Sequence, residues 1–231
     1  VKWLRPRVRM IGGESGVEGF VGRWGSGKTL MLSAVGLFGL RDPRCLGVWS
    51  TFPLFDAETG RRAFDLDPDR LSALLPELSL PPDLVRQGFY ILALVDEAGV
   101  LMPSRMWDKL PMKFLATLAM GRKKGLRLRW AAQSEKRVDV VLRELTTTIW
   151  RCAKWHPFGL FGRPWCIRLR GYLPGESEDT ADKTWEKSKG PQRRVWRLRA
   201  AMEAYDTLFV VSVADHLVDK ARPVAAKAEA A

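Results

Sequence analysis

The feature that most constrains this chain is the run Gly22-Arg23-Trp24-Gly25-Ser26-Gly27-Lys28-Thr29. It matches the phosphate-binding pattern G-x-x-x-x-G-K-[ST] in full. The apolar run Val17–Val21 precedes it and the apolar stretch Leu30–Leu40 follows, which predicts the order strand, turn, helix. Glycines let consecutive backbone N–H groups turn inward around a phosphate, where a Cβ would crowd the loop. The helix that opens at Lys28 adds its positive end to the same phosphates. Lys28 is expected to bridge the β- and γ-phosphates of ATP, and the Thr29 hydroxyl to hold Mg²⁺. The expected nucleotide contacts are Gly22, Arg23, Trp24, Gly25, Ser26, Gly27, Lys28, Thr29 and Leu30.

A phosphate loop alone does not choose between a kinase, a switch and a hydrolase. The run Ile91-Leu92-Ala93-Leu94-Val95-Asp96-Glu97 adds an apolar strand with two carboxylates at its C-terminal end, where ligands bind in open α/β sheets. Asp96 is placed to hold the metal through water, and Glu97 to polarise the attacking water as a general base. Such a pair favours hydrolysis over transfer to a small molecule. A third strand, Leu126–Ala132, ends at Gln133, which would lie beside the Asp96 strand and sense the γ-phosphate.

Strands and helices alternate through this region, which predicts an α/β domain with a mostly parallel central sheet flanked by helices. Further helices are expected around 69–78, 111–121 and 140–145, and extended chain over 147–153 and 208–213. The expected division is a basic arm over 1–14, the nucleotide-binding core over 15–154, a basic extension completing the domain over 155–214, and a tail over 215–231. Three scattered cysteines offer neither a disulfide framework nor a zinc site. No apolar run is long enough to span a bilayer and no signal peptide is evident, so a cytoplasmic protein without direct membrane insertion is expected.

Charge points to the partner. Lys and Arg number 38 against 26 Asp and Glu, a net of +12, which suits a polyanion such as nucleic acid. Arg122, Lys123, Lys124, Arg127 and Arg129 place five cations in eight positions. A second run, Lys187–Arg199, interleaves Trp196 with Arg193, Arg194 and Arg197. Lys123, Lys124, Arg127, Arg129, Arg193, Arg194 and Arg197 are therefore expected to grip DNA phosphates without reading sequence.

Taken together, the phosphate loop, Val95-Asp96-Glu97 and Gly121–Leu128 running into Ala132-Gln133 resemble the FtsK–HerA superfamily of ring-forming DNA-pumping ATPases. Two viral branches look most similar: genome-packaging ATPases of tailless, membrane-containing double-stranded DNA viruses, and Zot-like morphogenesis ATPases of filamentous phages. Ser50–Leu54, Asp96-Glu97-Ala98, Pro103-Ser104-Arg105 and Tyr205-Asp206-Thr207 resemble the Zot-like pattern. The resemblance covers roughly residues 18–155. It implies a RecA-like fold, a homo-hexameric ring with ATP between subunits, and an arginine finger supplied in trans, for which Arg122 is preferred over Arg143 and Arg151. It also implies double-stranded DNA and capsid or portal-vertex proteins as partners, in the host cytoplasm or retained at a virion vertex. Zot-like proteins usually continue into a transmembrane segment, and no such segment is present here. The expected function is a packaging motor. The alternatives are a Zot-like ATPase exporting single-stranded phage DNA, and a nucleotide-binding scaffold with little turnover.

Overall fold

The computed structural model describes residues 16–67, 70–103, 111–155, 166–172, 192–196 and 199–204. Its frame is an eight-stranded sheet built from β1 (Gly16–Val21), β2 (Cys45–Ser50), β5 (Phe64–Asp65), β6 (Tyr90–Val95), β7 (Leu126–Ala132), β8 (Thr146–Trp155), β9 (Cys166–Tyr172) and β10 (Gln192–Trp196). The order across the sheet is β10-β9-β8-β1-β7-β6-β2-β5. Every pairing from β8 to β5 is parallel, and β9 and β10 add to the other edge antiparallel. A small hairpin, β3 (Phe55–Asp56) with β4 (Arg61–Arg62), stands apart from it. This is the mostly parallel, RecA-like α/β fold that the sequence predicts.

Helix α1 (Lys28–Arg41) covers one face. Nearly all its side chains are buried, as expected of a helix that is apolar all round. Gly36 allows the close approach, because a Cβ there would lie 2.3 Å from Leu54 and 2.7 Å from Leu94. Pro43, lacking an N–H, bars a continuation of the helix. The short helices α2 (Leu71–Leu74), α3 (Pro82–Arg86) and α4 (Ala98–Leu101) follow, then α5 (Met112–Ala119), α6 (Val140–Leu145) and α7 (Arg199–Glu203). Leu71, Leu75, Phe114, Leu118 and Leu142 join Leu126, Leu128 and Trp130 in the second core, on the sheet face opposite α1.

The helix expected over 69–78 is split. Pro76 lies in the turn after α2, and Leu75–Glu77 tightens into 3₁₀ geometry. The strand expected over 208–213 lies outside the described residues, as do Ser104, Arg105 and Tyr205-Asp206-Thr207.

The alternation in Leu126–Ala132 has a different meaning from the one expected. β7 is largely buried, Arg129 fully and Arg127 partly, so its arginines do not make a solvent-facing stripe. Arg129 is 0% exposed; its Nε lies 3.0 Å from Glu18 Oε2 and its Nη1 donates to the Gly16 carbonyl at 2.8 Å. Register places Glu18 directly beside Arg129 on β1. Arg127 stacks its guanidinium 3.6 Å from the Tyr90 ring centroid, a cation–π contact. Arg129 therefore does not contact DNA in this fold, and Arg127 is committed to Tyr90. Lys124 is also engaged, donating to Thr117 Oγ1 at 3.0 Å. Of this basic run only Arg122 and Lys123 are exposed.

Candidate active site

A parallel sheet brings the carboxyl ends of its strands to one edge. Here β7 lies between β1 and β6, with Val21 opposite Ala132 and Val95 opposite Trp130, so Val21, Ala132 and Val95 end at the same edge of the sheet. Each is followed at once by a residue that the sequence singles out: Gly22, Gln133 and Asp96.

The chain leaves β1 through Gly22–Gly27 and enters α1 at Lys28. Gly27 caps the helix at φ 95°, ψ 23°, a left-handed conformation that L side chains rarely adopt. It is also closely packed, since a Cβ on Gly27 would lie 2.7 Å from Ile167 Cδ1 on β9. Trp24, at the crown of the loop, is 82% exposed. Lys28 is buried, and its ammonium donates to the Arg23 carbonyl at 3.3 Å, which holds it against the loop.

Thr29 Oγ1 donates to Asp96 Oδ2 at 2.8 Å. The other carboxylate oxygen, Oδ1, accepts from the Glu97 N–H at 3.0 Å. The Asp96 N–H in turn donates to Thr51 Oγ1 at 2.9 Å. Thr51, immediately after β2, is tied to β6 through its own N–H and the Leu94 carbonyl at 3.0 Å. Thr51 thus supports the carboxylate from behind, a role that the Ser50–Leu54 stretch does not disclose by residue type.

Glu97 has φ 49° and ψ 43°, and is the one non-glycine residue with positive φ among those described. Such a conformation costs about 1–3 kcal/mol and persists where the surroundings over-determine it. Its carbonyl accepts from the Val100 N–H at 2.8 Å, so the turn directs the chain straight into α4. Burial, and then the neighbouring Asp96 charge, raise the Glu97 pKa above its ordinary value; Lys28 and Arg137 oppose this. Burial likewise raises Asp96, against the Thr29 hydroxyl, the Glu97 N–H and Lys28.

The donor set suits Mg²⁺. A hydroxyl and a carboxylate in contact are hard oxygen ligands, and Mg²⁺ commonly takes one or two protein ligands and fills its shell with water and phosphate. Thr29 and Asp96 would hold it. No group of three or more His, Cys, Asp or Glu side chains forms a metal cluster among the described residues.

Gln133 is half-buried, and its Oε1 accepts from Arg137 Nη1 at 3.2 Å. Arg137 ends the 3₁₀ turn Glu135–Arg137, and neither motif nor spacing marks it in the sequence. Arg122 sits at the opposite end of β7, about 20 Å away at ~3.3 Å per residue, beyond reach of its own phosphate loop. Arg151 is paired with Val21 beside that loop, and Arg143 lies on α6. Arg193 and Arg194 lie on β10 opposite Leu169 and Arg168, and Arg197 is outside the described residues. Among the described residues, no helix is long and apolar enough to cross a membrane.

Together these elements make a RecA-like α/β fold with a phosphate loop at the carboxyl ends of its parallel strands. The chain is similar in structure to the N-terminal domain of zonular occludens toxin from Neisseria meningitidis, at 16% identity and a TM-score of 0.57, over 83% of this chain and 99% of that one. It is also similar to the genome packaging NTPase B204 of Sulfolobus turreted icosahedral virus 2, bound to ATP-gammaS, at 14% identity and a TM-score of 0.47, over 68% and 92% of the two chains. No family model matches the chain, and no curated protein matches it.

Proposed function

We propose that this protein hydrolyses ATP to move DNA, as a motor that pumps double-stranded viral DNA into a preformed capsid. The observation that carries the reading is the contact of Thr29 with Asp96 at the mouth of the phosphate loop, with Glu97 next in the chain. Backbone N–H groups of the loop and the Lys28 ammonium receive the phosphates of ATP. Mg²⁺ held by Thr29 and Asp96 would supply charge neutralisation at the β- and γ-phosphates. Glu97 accepts a proton from the attacking water, and burial beside the Asp96 charge, which raises its pKa, strengthens it as a base. Gln133, the residue after the strand between β1 and β6, would present its amide to the γ-phosphate in this account.

Hydrolysis at a subunit interface of a hexameric ring moves a DNA-gripping surface. Arg122 lies too far from its own loop to act in cis, which suits a finger presented to a neighbouring subunit. Lys123 beside it, and the cations of the second basic run, supply the sequence-independent grip on phosphates. A portal vertex of the capsid is the docking partner in this account.

The second reading, a Zot-like ATPase driving filamentous phage assembly, rests on the Ser50–Leu54 and Asp96-Glu97-Ala98 stretches; the likeness in fold does not choose between the two. Steady-state ATP hydrolysis with no DNA, duplex DNA or single strands, each at low and moderate salt, separates them. Duplex stimulation that fades with salt supports packaging. Stimulation by single strands alone favours the Zot-like account, and DNA-indifferent, negligible turnover favours a nucleotide-binding scaffold.

A further inference from the structure

We propose that Arg137 is a positioning residue that fixes which end of the Gln133 amide faces the γ-phosphate. The inference rests on the ATPase reading above and adds a residue to it.

Arginine carries only donors, so the amide atom bonded to Arg137 at 3.2 Å must be the oxygen. The amide nitrogen, with its two donors, is then the group left for an acceptor. Phosphate oxygens offer only acceptors, so a Gln133 side chain held this way meets them with the right polarity. An amide released from Arg137 can rotate by half a turn and present its oxygen instead, which a phosphate repels.

The turn bearing Arg137 is itself fixed to the segment that carries Glu97. Pro103 and Val138 form a β-bridge, and the Asp139 N–H donates to the Met102 carbonyl at 3.0 Å. Gly99 on α4 abuts the turn, since a Cβ there would lie 3.1 Å from Arg137 Cβ. Asp139 then caps α6, accepting from the Val141 N–H at 2.9 Å. Arg137 thus extends from a rigid platform shared by the Glu97 and Gln133 strands. It is exposed, so its removal leaves no buried group unpaired.

The test is a double-mutant cycle on the full chain with Arg137→Met, Gln133→Ala and the combined variant, alongside Arg137→Lys. Measurements are kcat and KM for ATP, and the Kd of ATP·Mg²⁺ for each variant. Arg137→Met is expected to lower kcat by about tenfold with KM and Kd nearly unchanged, the signature of an interaction made only in the transition state. Arg137→Lys should recover part of the loss. In the Gln133→Ala background, removing Arg137 should cost much less than in wild type, the remainder being its charge acting on Glu97. Full additivity of the two losses, or wild-type kcat in Arg137→Met, overturns the inference and leaves the ATPase reading standing. A wild-type protein that binds ATP without turning it over overturns both.

Discussion

Thr29 and Asp96 meet at 2.8 Å although the strands that deliver them are not neighbours in the sheet. β7 separates β1 from β6, so the contact spans the width of a strand, and Gln133 emerges at the end of that strand. One hydroxyl–carboxylate contact therefore frames the position where loop, carboxylates and amide converge.

If this pair holds the metal, the hydroxyl rather than the size of residue 29 is what counts. Thr29→Ala should weaken Mg²⁺-dependent ATP binding by about tenfold or more, while Thr29→Ser stays near wild type. Titration of nucleotide affinity against Mg²⁺ checks this. Equal Mg²⁺ dependence in Thr29→Ala and wild type contradicts the assignment.

The two exposures in the first basic run predict opposite phenotypes. Arg129→Ala strands the Glu18 carboxylate in the core and should cost about 3–5 kcal/mol of stability, read by denaturant unfolding. Lys123→Ala should leave stability alone, weaken DNA binding and lower its salt slope by about one. A loss of DNA affinity by a stably folded Arg129→Ala would restore the role that burial denies it.

How the sequence conceals this is instructive. Leu126–Ala132 alternates apolar and basic residues, the pattern of a strand with one wet face. It gives no sign that Glu18, more than a hundred positions earlier, lies beside Arg129 to neutralise it. Cys166–Tyr172 alternates in the same way, and β9 and β10 were not legible, since β9 is placed by its pairing with β8 and β10 by its pairing with β9 rather than by their own periodicity. The strand–loop–helix at Gly22, the carboxylates after β6 and the Gln133 strand were legible because each couples a local pattern to a required chemistry. Arg137 and Thr51 carry no such pattern. Their places follow from tertiary register.

A second ion pair gives a pH signature. Asp56 is buried beneath Arg41, the last residue of α1. Burial pushes its pKa up, but the Arg41 guanidinium, the Thr59 hydroxyl and the Glu58 N–H together hold it below the ordinary value. A depressed carboxylate stabilises the fold fully above its unfolded pKa of about 3.9, and the contribution disappears as pH falls through the lower folded value. Wild type should thus lose stability more steeply than Asp56→Asn below about pH 4. Parallel unfolding profiles for the two proteins over that range contradict the account.

Gly19 lies against Trp130, its neighbour in register on β7, and a Cβ there would be 2.2 Å from the indole. The indole cannot yield easily, because its Nε1 donates to Thr146 Oγ1 at 3.0 Å. Gly19→Ala should therefore destabilise the protein by about 1–3 kcal/mol through overpacking, seen as a lower Tm. An unchanged Tm would mean that the core on this face is looser than its packing implies.

The most direct measurement is ATP·Mg²⁺ binding and steady-state turnover for Glu97→Gln beside wild type. The substitution keeps size and hydrogen-bonding capacity and removes the base. The account predicts wild-type affinity with turnover lowered by roughly 10²–10⁴-fold, the usual contribution of a positioned general base. Turnover at the wild-type rate would contradict it and move the base elsewhere in the site.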